Sequence, residues 1–283
     1  MEIITPIGDL CQPKSIDEMC YGSVQRILSA AEDKKLYISW SGGIDSTMTL
    51  SEFLKYVPQD RIVVMMNNDS IREYTSYYKK YIEGKMETVE VNFHNNSVLT
   101  KCIQDGIIIT GDCLDPVFGI QHYARIKSDR LMQSIDDFLA PLSSTSKEFY
   151  NKLIDACPRE LTNVKDLFWW LVYSIDYQFE QLMWITDTDD LILDKNIFHF
   201  GMTKDWNDYA LSTPAEVKFL GTDLRNYKMP LKQQLYTFTK DSDYTQYKIK
   251  FASWNKFRTQ EEVFKNKAVY IDTNWKRGWS MFK

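Results

Sequence analysis

The chain has 283 residues, 44% hydrophobic and 26% charged, enough for one large domain or two smaller ones whose core needs neither disulfide nor metal to fold. Its net charge of −5 argues against a dedicated nucleic-acid partner, for which a basic chain is the usual vehicle. No apolar stretch approaches the ~20 residues of a membrane span, and Met1-Glu2-Ile3-Ile4-Thr5-Pro6 lacks the charged and apolar regions of a signal peptide, so the expectation is a soluble cytoplasmic protein. Cys11, Cys20, Cys102, Cys113 and Cys157 are odd in number and form no CxxC pair, which fits reduced thiols.

Residues 1–34 read as a lead-in. Pro6-Ile7-Gly8 and Gln12-Pro13-Lys14 are turn chemistry, and a helix is predicted from Ile16 to Ala31. Strands and helices then alternate: strand Leu36–Trp40, helix Ser46–Tyr56, strand Arg61–Met66, helix Ser70–Glu83, strand Thr88–Phe93, helix Ser97–Gln104, strand Ile107–Thr110. The alternation predicts an α/β fold, a parallel sheet with helices on both faces, spanning residues 35–125. The run Ile107-Ile108-Ile109 fits a strand buried on both sides. Residues 126–283 read as a mostly helical region that completes the site, with a long helix from Val164 to Ile185 and an aromatic cluster at Phe168-Trp169-Trp170 and Tyr173. Ser143-Ser144-Thr145-Ser146 reads either as a linker or as a helix cap. Asp187-Thr188-Asp189-Asp190 reads as a solvated loop. Trp275-Lys276-Arg277-Gly278-Trp279 reads as a packed tail, with stacking on a nucleic-acid base as the alternative.

Ser41-Gly42-Gly43-Ile44-Asp45-Ser46-Thr47 follows the first strand and opens a helix. Glycines admit positive φ and let backbone N–H groups approach phosphate oxygens. Ser41, Ser46 and Thr47 offer hydroxyls, and a helix N-terminus adds unpaired N–H groups and a positive dipole end. Asp45 among phosphates would repel them unless it binds a cation, for which Mg²⁺ is the natural candidate. No GxxxxGK[ST] sequence occurs, so this is not the kinase-type loop.

A strand, SGGxDS and a helix in that order resemble the signature of the PP-loop (N-type) ATP pyrophosphatases. The resemblance implies the adenine-nucleotide α-hydrolase-like fold, a loop gripping the pyrophosphate end of ATP, and adenylation of a substrate. A second stretch, Thr110-Gly111-Asp112-Cys113-Leu114-Asp115-Pro116-Val117-Phe118-Gly119, is similar to the SGEGxDExFGG segment of asparagine and β-lactam synthetases. By position it implies that Asp112 is a catalytic acid/base or orienting group, that Asp115 binds Mg²⁺, and that Thr110 and Gly111 lie against ATP. Asp112 and Pro116 each stand where that segment has Glu, and Ile120 where it has its last Gly. Further on, Phe198 through Pro214 resembles a PFLD…A…P stretch, and Lys228-Met229-Pro230-Leu231-Lys232 resembles a K..LR element. Tyr247-Lys248-Ile249-Lys250-Phe251 resembles the R.K..F stretch that carries a catalytic lysine; spacing selects Lys248, with Lys250 in reserve. Asn67, at the end of the second strand, falls where this fold class meets adenine or ribose; an N-cap by Asp69 is the alternative for that turn.

Two departures shape the functional expectation. Glu2 follows Met1 and the first strand begins at Leu36, so the glutaminase domain of asparagine synthetases is not expected, and nitrogen would come from ammonia, a substrate amine or a separate partner. The short connection at Asn95-Asn96-Ser97 rebuilds the region that lines the aspartate pocket in those enzymes. The expectation is therefore an AMP-forming ligase using ATP and Mg²⁺ on a small-molecule acceptor other than aspartate. Nucleobase or tRNA modification, or nucleotide binding without turnover, are the alternatives.

Overall fold

The computed structural model describes residues 8–91, 96–119, 130–177 and 196–248. Helix α1 (Ile16–Ala31) begins at a capping box in which the Ser15 hydroxyl and the Glu18 carboxylate each accept from the other's backbone N–H. Its buried positions Met19, Cys20, Val24, Ile27 and Ala31 repeat with helical spacing and form one apolar stripe. The chain then runs through β1 (Lys35–Ser39), α2 (Ile44–Tyr56), β2 (Ile62–Met66), α3 (Asn68–Glu73), α4 (Thr75–Tyr77), β3 (Glu87–Glu90), α5 (Asn96–Asp105) and β4 (Gly106–Thr110). Beyond these lie α6 (Leu114–Phe118), α7 (Ile135–Leu139), α8 (Ser144–Asp155), α9 (Val164–Leu171), β5 (Ile197–His199), α10 (Lys204–Ser212), α11 (Ala215–Lys218), α12 (Met229–Thr239) and α13 (Ser242–Tyr247).

The five strands form one parallel sheet in the order β3-β2-β1-β4-β5. Every residue of β2 and β4 is buried, as continuous apolar runs in a doubly covered sheet should be. Alternate residues separate into two cores. Leu36, Ile38, Val64, Ile107 and Ile109 pack with Met48, Phe53 and the stripe of α1, whereas Tyr37, Val63, Met65 and Ile108 pack with Cys102 and Ile103 of α5. The chain is thus α/β, with a parallel sheet covered by helices.

Several expectations change in detail. The helix expected over Ser70–Glu83 breaks at Tyr74, whose backbone is extended in φ at −142°. Its ring stacks on Tyr244 at 3.8 Å and its hydroxyl donates to Asp241, and this distant anchor outcompetes helix continuation. A short α4 and one wide turn over Tyr78–Ile82 follow. The long helix expected from Val164 runs to Leu171 and then widens over Val172–Asp176. Trp169, Trp170 and Tyr173 are fully buried there, as the aromatic cluster suggested. Ser143 accepts from Ser146 N–H and caps α8, so that serine stretch is a cap rather than a linker. Strand β5 was not expected at all. Ile120, Asp187–Asp190, Lys250, Phe251 and Trp275–Trp279 lie outside the described residues. Among the described residues no helix is long and apolar enough to cross a membrane.

Candidate functional site between the first and fourth strands

From β1 the chain builds outward to β2 and β3, then returns to place β4 on the other side of β1. Connections leaving β1 and β4 therefore diverge, and a crevice opens beyond their carboxyl ends, where open α/β sheets bind ligands. Both sequence motifs emerge at this crevice.

The first loop is shaped by glycine and tied by serine. Gly42 has φ +74°, and a Cβ there would come 2.6 Å from the Ser70 carbonyl oxygen and 2.8 Å from Glu73 Cβ. The Ser46 hydroxyl accepts from Ser41 N–H at 3.0 Å and donates to the Gly43 carbonyl at 3.3 Å, closing the turn on itself. Gly43 is the N-cap of α2 and contributes no side-chain cap. The first-turn N–H groups and the positive end of the helix dipole are thus directed out of the helix into the loop. Thr47 departs from expectation. It is fully buried and its hydroxyl accepts from the Trp40 indole at 3.1 Å, so it braces the loop from beneath instead of offering a donor to a ligand.

The second loop is packed onto the first. A Cβ on Gly111 would lie 2.7 Å from both the Asp45 carbonyl carbon and the Ser46 nitrogen, so only glycine lets the two loops touch here. The Thr110 hydroxyl is buried, lies 2.8 Å from His199 Nδ1 of β5 and accepts from Asp112 N–H at 3.2 Å. Thr110 therefore orders the turn rather than facing a ligand, while Asp112 sits half-buried at the mouth of the loop. Cys113 adopts a left-handed φ of 69° and starts α6. Pro116 falls within the first turn of that helix, where a backbone N–H is not needed. A replacement of Glu by Pro at this point is compatible with the backbone.

Asp45 and Asp115 converge on one cation. Lys228 Nζ donates to the Asp45 oxygens at 2.6 and 2.5 Å and to Asp115 Oδ1 at 2.5 Å. The lysine side chain is 1% exposed, against 22% for Asp45 and 28% for Asp115, so water reaches the carboxylates and not the ammonium. Burial pushes the Lys228 ionisation down, but the two carboxylates outweigh it and hold the group charged, above its ordinary range. Lys228 also has a left-handed backbone, φ 50°, which costs roughly 1–2 kcal/mol for a residue with a side chain. Its N–H donates to the Lys218 carbonyl, which together with the two carboxylates holds it there. The sequence singled out Lys228 only as part of a resemblance. Its place in the site depends on contacts 183 and 113 residues away, which no local spacing encodes.

One turn later, Lys232 Nζ donates to the carbonyls of Arg225 and Lys248 at 2.6 and 2.7 Å. It thereby ties the segment that presents Lys228 to the end of α13. Burial lowers its ionisation to about 8.

Lys248 is buried beside the first loop and forms an ion pair with Glu73, whose own carboxylate is buried. The Glu73 stem flanks Gly42, and the Tyr244 hydroxyl donates to the Gly42 carbonyl at 3.2 Å. Lys248 thus borders the glycine turn through Glu73. Asn67 caps α3, its side-chain oxygen accepting from the N–H groups of Asp69 and Ser70, so Asn67 and not Asp69 is the cap. A cleft of about 310 Å³ is lined by Tyr74, Lys80 and Asp241. Bonds from Tyr74 to Asp241 and from Lys80 to the Thr239 carbonyl cross it, which marks a seam between packed elements.

Among the described residues no three His, Cys, Asp or Glu side chains gather as a metal cage. Two carboxylates focused on a point where an ammonium already sits suit a Mg²⁺ ion that takes its other ligands from phosphate and water. Compared with models of protein families and with curated proteins, the chain matches none.

Proposed function

We propose that this chain binds ATP across the crevice between β1 and β4 and joins AMP to an acceptor with release of pyrophosphate. It would be an asparagine-synthetase-like, AMP-forming ligase on a PP-loop fold. The observation that carries the reading is the convergence of Asp45 and Asp115, from two loops at two strand ends, on the single cation Lys228 Nζ. Neither resemblance alone requires these loops to meet.

In this reading the backbone of Gly42 and Gly43 and the N-terminus of α2 bind the β- and γ-phosphates. Asp45 and Asp115 hold Mg²⁺, which when bound offsets charge on the departing pyrophosphate. Lys228 adds a positive charge at the same end. Lys248, beside Gly42, offsets charge on the α-phosphate as the acceptor attacks. Asp112, at the mouth of the second loop, orients the acceptor or takes its proton. The acceptor is a small molecule with a carboxylate or carbonyl oxygen, and an amine, ammonia or a partner-delivered nucleophile then displaces AMP.

Incubation with ATP, Mg²⁺, ammonium and a panel of carboxylates should release pyrophosphate and AMP together. Release of ADP and phosphate would overturn the reading, as would AMP formation that survives Asp115→Asn.

A further inference from the structure

We infer that Lys228 is a resident cation that closes the Asp45/Asp115 pair to divalent metal until a polyphosphate arrives. The inference rests on the reading that these two carboxylates hold Mg²⁺, and it adds an order of events: metal and nucleotide enter together.

Two carboxylates and one ammonium sum to −1. Three carboxylate oxygens lie within 2.6 Å of Nζ, so the ammonium fills the gap to which both side chains point. A Mg²⁺ ion needs these oxygens at about 2.0–2.1 Å. It would have to share a space a few ångströms across with a second positive charge that is shielded from water. A triphosphate relieves this clash. It brings several negative charges to the adjacent glycine loop, giving the ammonium a new acceptor and the metal its remaining ligands. By linkage, the factor by which nucleotide raises metal affinity is the factor by which metal raises nucleotide affinity.

The test is Mn²⁺ binding followed by electron paramagnetic resonance, with and without the non-hydrolysed analogue α,β-methylene-ATP, on the wild-type chain and on Lys228→Met. Wild type should bind Mn²⁺ weakly alone and about ten- to hundredfold more tightly with the analogue, the usual span of coupling between two sites. Lys228→Met should bind Mn²⁺ without the analogue more tightly than wild type by a similar factor. If wild type binds Mn²⁺ equally well with and without the analogue, the inference fails while the metal reading stands. If wild type binds no Mn²⁺ even with the analogue, both fail. The wild-type arm decides the matter even if the variant does not fold.

Discussion

Gly111 and Asp45 are in backbone contact across the crevice: a Cβ on Gly111 would lie 2.7 Å from the Asp45 carbonyl carbon. The two motif loops touch because the residue at their contact has no side chain. Gly111→Ala should therefore push the loops apart. Overpacking of this kind costs about 1–3 kcal/mol. We expect a destabilisation in that range by urea denaturation, together with a loss of ATP affinity larger than the stability change explains. Unchanged ATP binding in a folded Gly111→Ala chain would show that contact between the loops is not needed.

Much of the fold was legible because local signals agreed. Ser15 and Glu18 announce the start of α1, and the apolar runs Ile62–Met66 of β2 and Ile107–Ile109 of β4 carry no polar residue that would place them at a surface. The loop at Gly42 was legible because its residues fit only a tight turn into a helix. What escaped was long-range. The three-residue β5 is too short for a periodic signal and is held beside β4 by pairing and by the contact of His199 with Thr110. The break at Tyr74 depends on Tyr244 and Asp241, and the role of Lys228 depends on two loops far back in the chain. Thr47 reads as a ligand donor because it continues the hydroxyl series of Ser41 and Ser46, yet Trp40 claims its hydroxyl.

Thr47 gives a direct check on that correction. Thr47→Val keeps the shape and leaves the Trp40 indole N–H buried without its acceptor, which costs about 1–3 kcal/mol. Thermal or urea denaturation should show that loss, and calorimetry should show ATP affinity changed little in the folded fraction. A variant that is fully stable but no longer binds nucleotide would return Thr47 to the ligand side.

The Glu73–Lys248 pair should behave as a buried couple. Lys248→Met removes the cation that pairs with the Glu73 carboxylate, and breaking one partner of such a pair typically costs about 3–5 kcal/mol. The double variant Glu73→Gln, Lys248→Met should recover most of the stability, because neutral groups of similar volume carry no such penalty. A double-mutant cycle by urea denaturation measures the coupling. Additive effects would show that the two residues do not act as a pair. In our reading pyrophosphate release is lost in both variants, recovered stability notwithstanding.

Lys232 predicts a pH signature. Its amine ionises at about 8 in the folded chain because of burial, against ~10.4 for an unfolded lysine. Between these values the unfolded chain binds more protons, so this group's contribution makes stability rise with pH across that window and stay level below it. Subtracting the pH dependence of Lys232→Met from that of wild type, by urea midpoint from pH 7 to 10, should isolate a positive slope beginning near 8. A difference that is flat across the range would show that Lys232 ionises as an exposed lysine does. The same substitution removes the donor shared by the Arg225 and Lys248 carbonyls, so amide exchange at residues 225–228 should quicken.

The most direct test of the central claim needs no knowledge of the acceptor. Calorimetric titration of ATP with Mg²⁺ into wild type and into the double variant Asp45→Asn, Asp115→Asn compares the proposed site with and without its two carboxylates. The account predicts one ATP per chain for wild type, dependent on Mg²⁺, and loss of that dependence with much weaker binding in the double variant. No heat of binding in wild type, or equal Mg²⁺-dependent binding in both proteins, would contradict it.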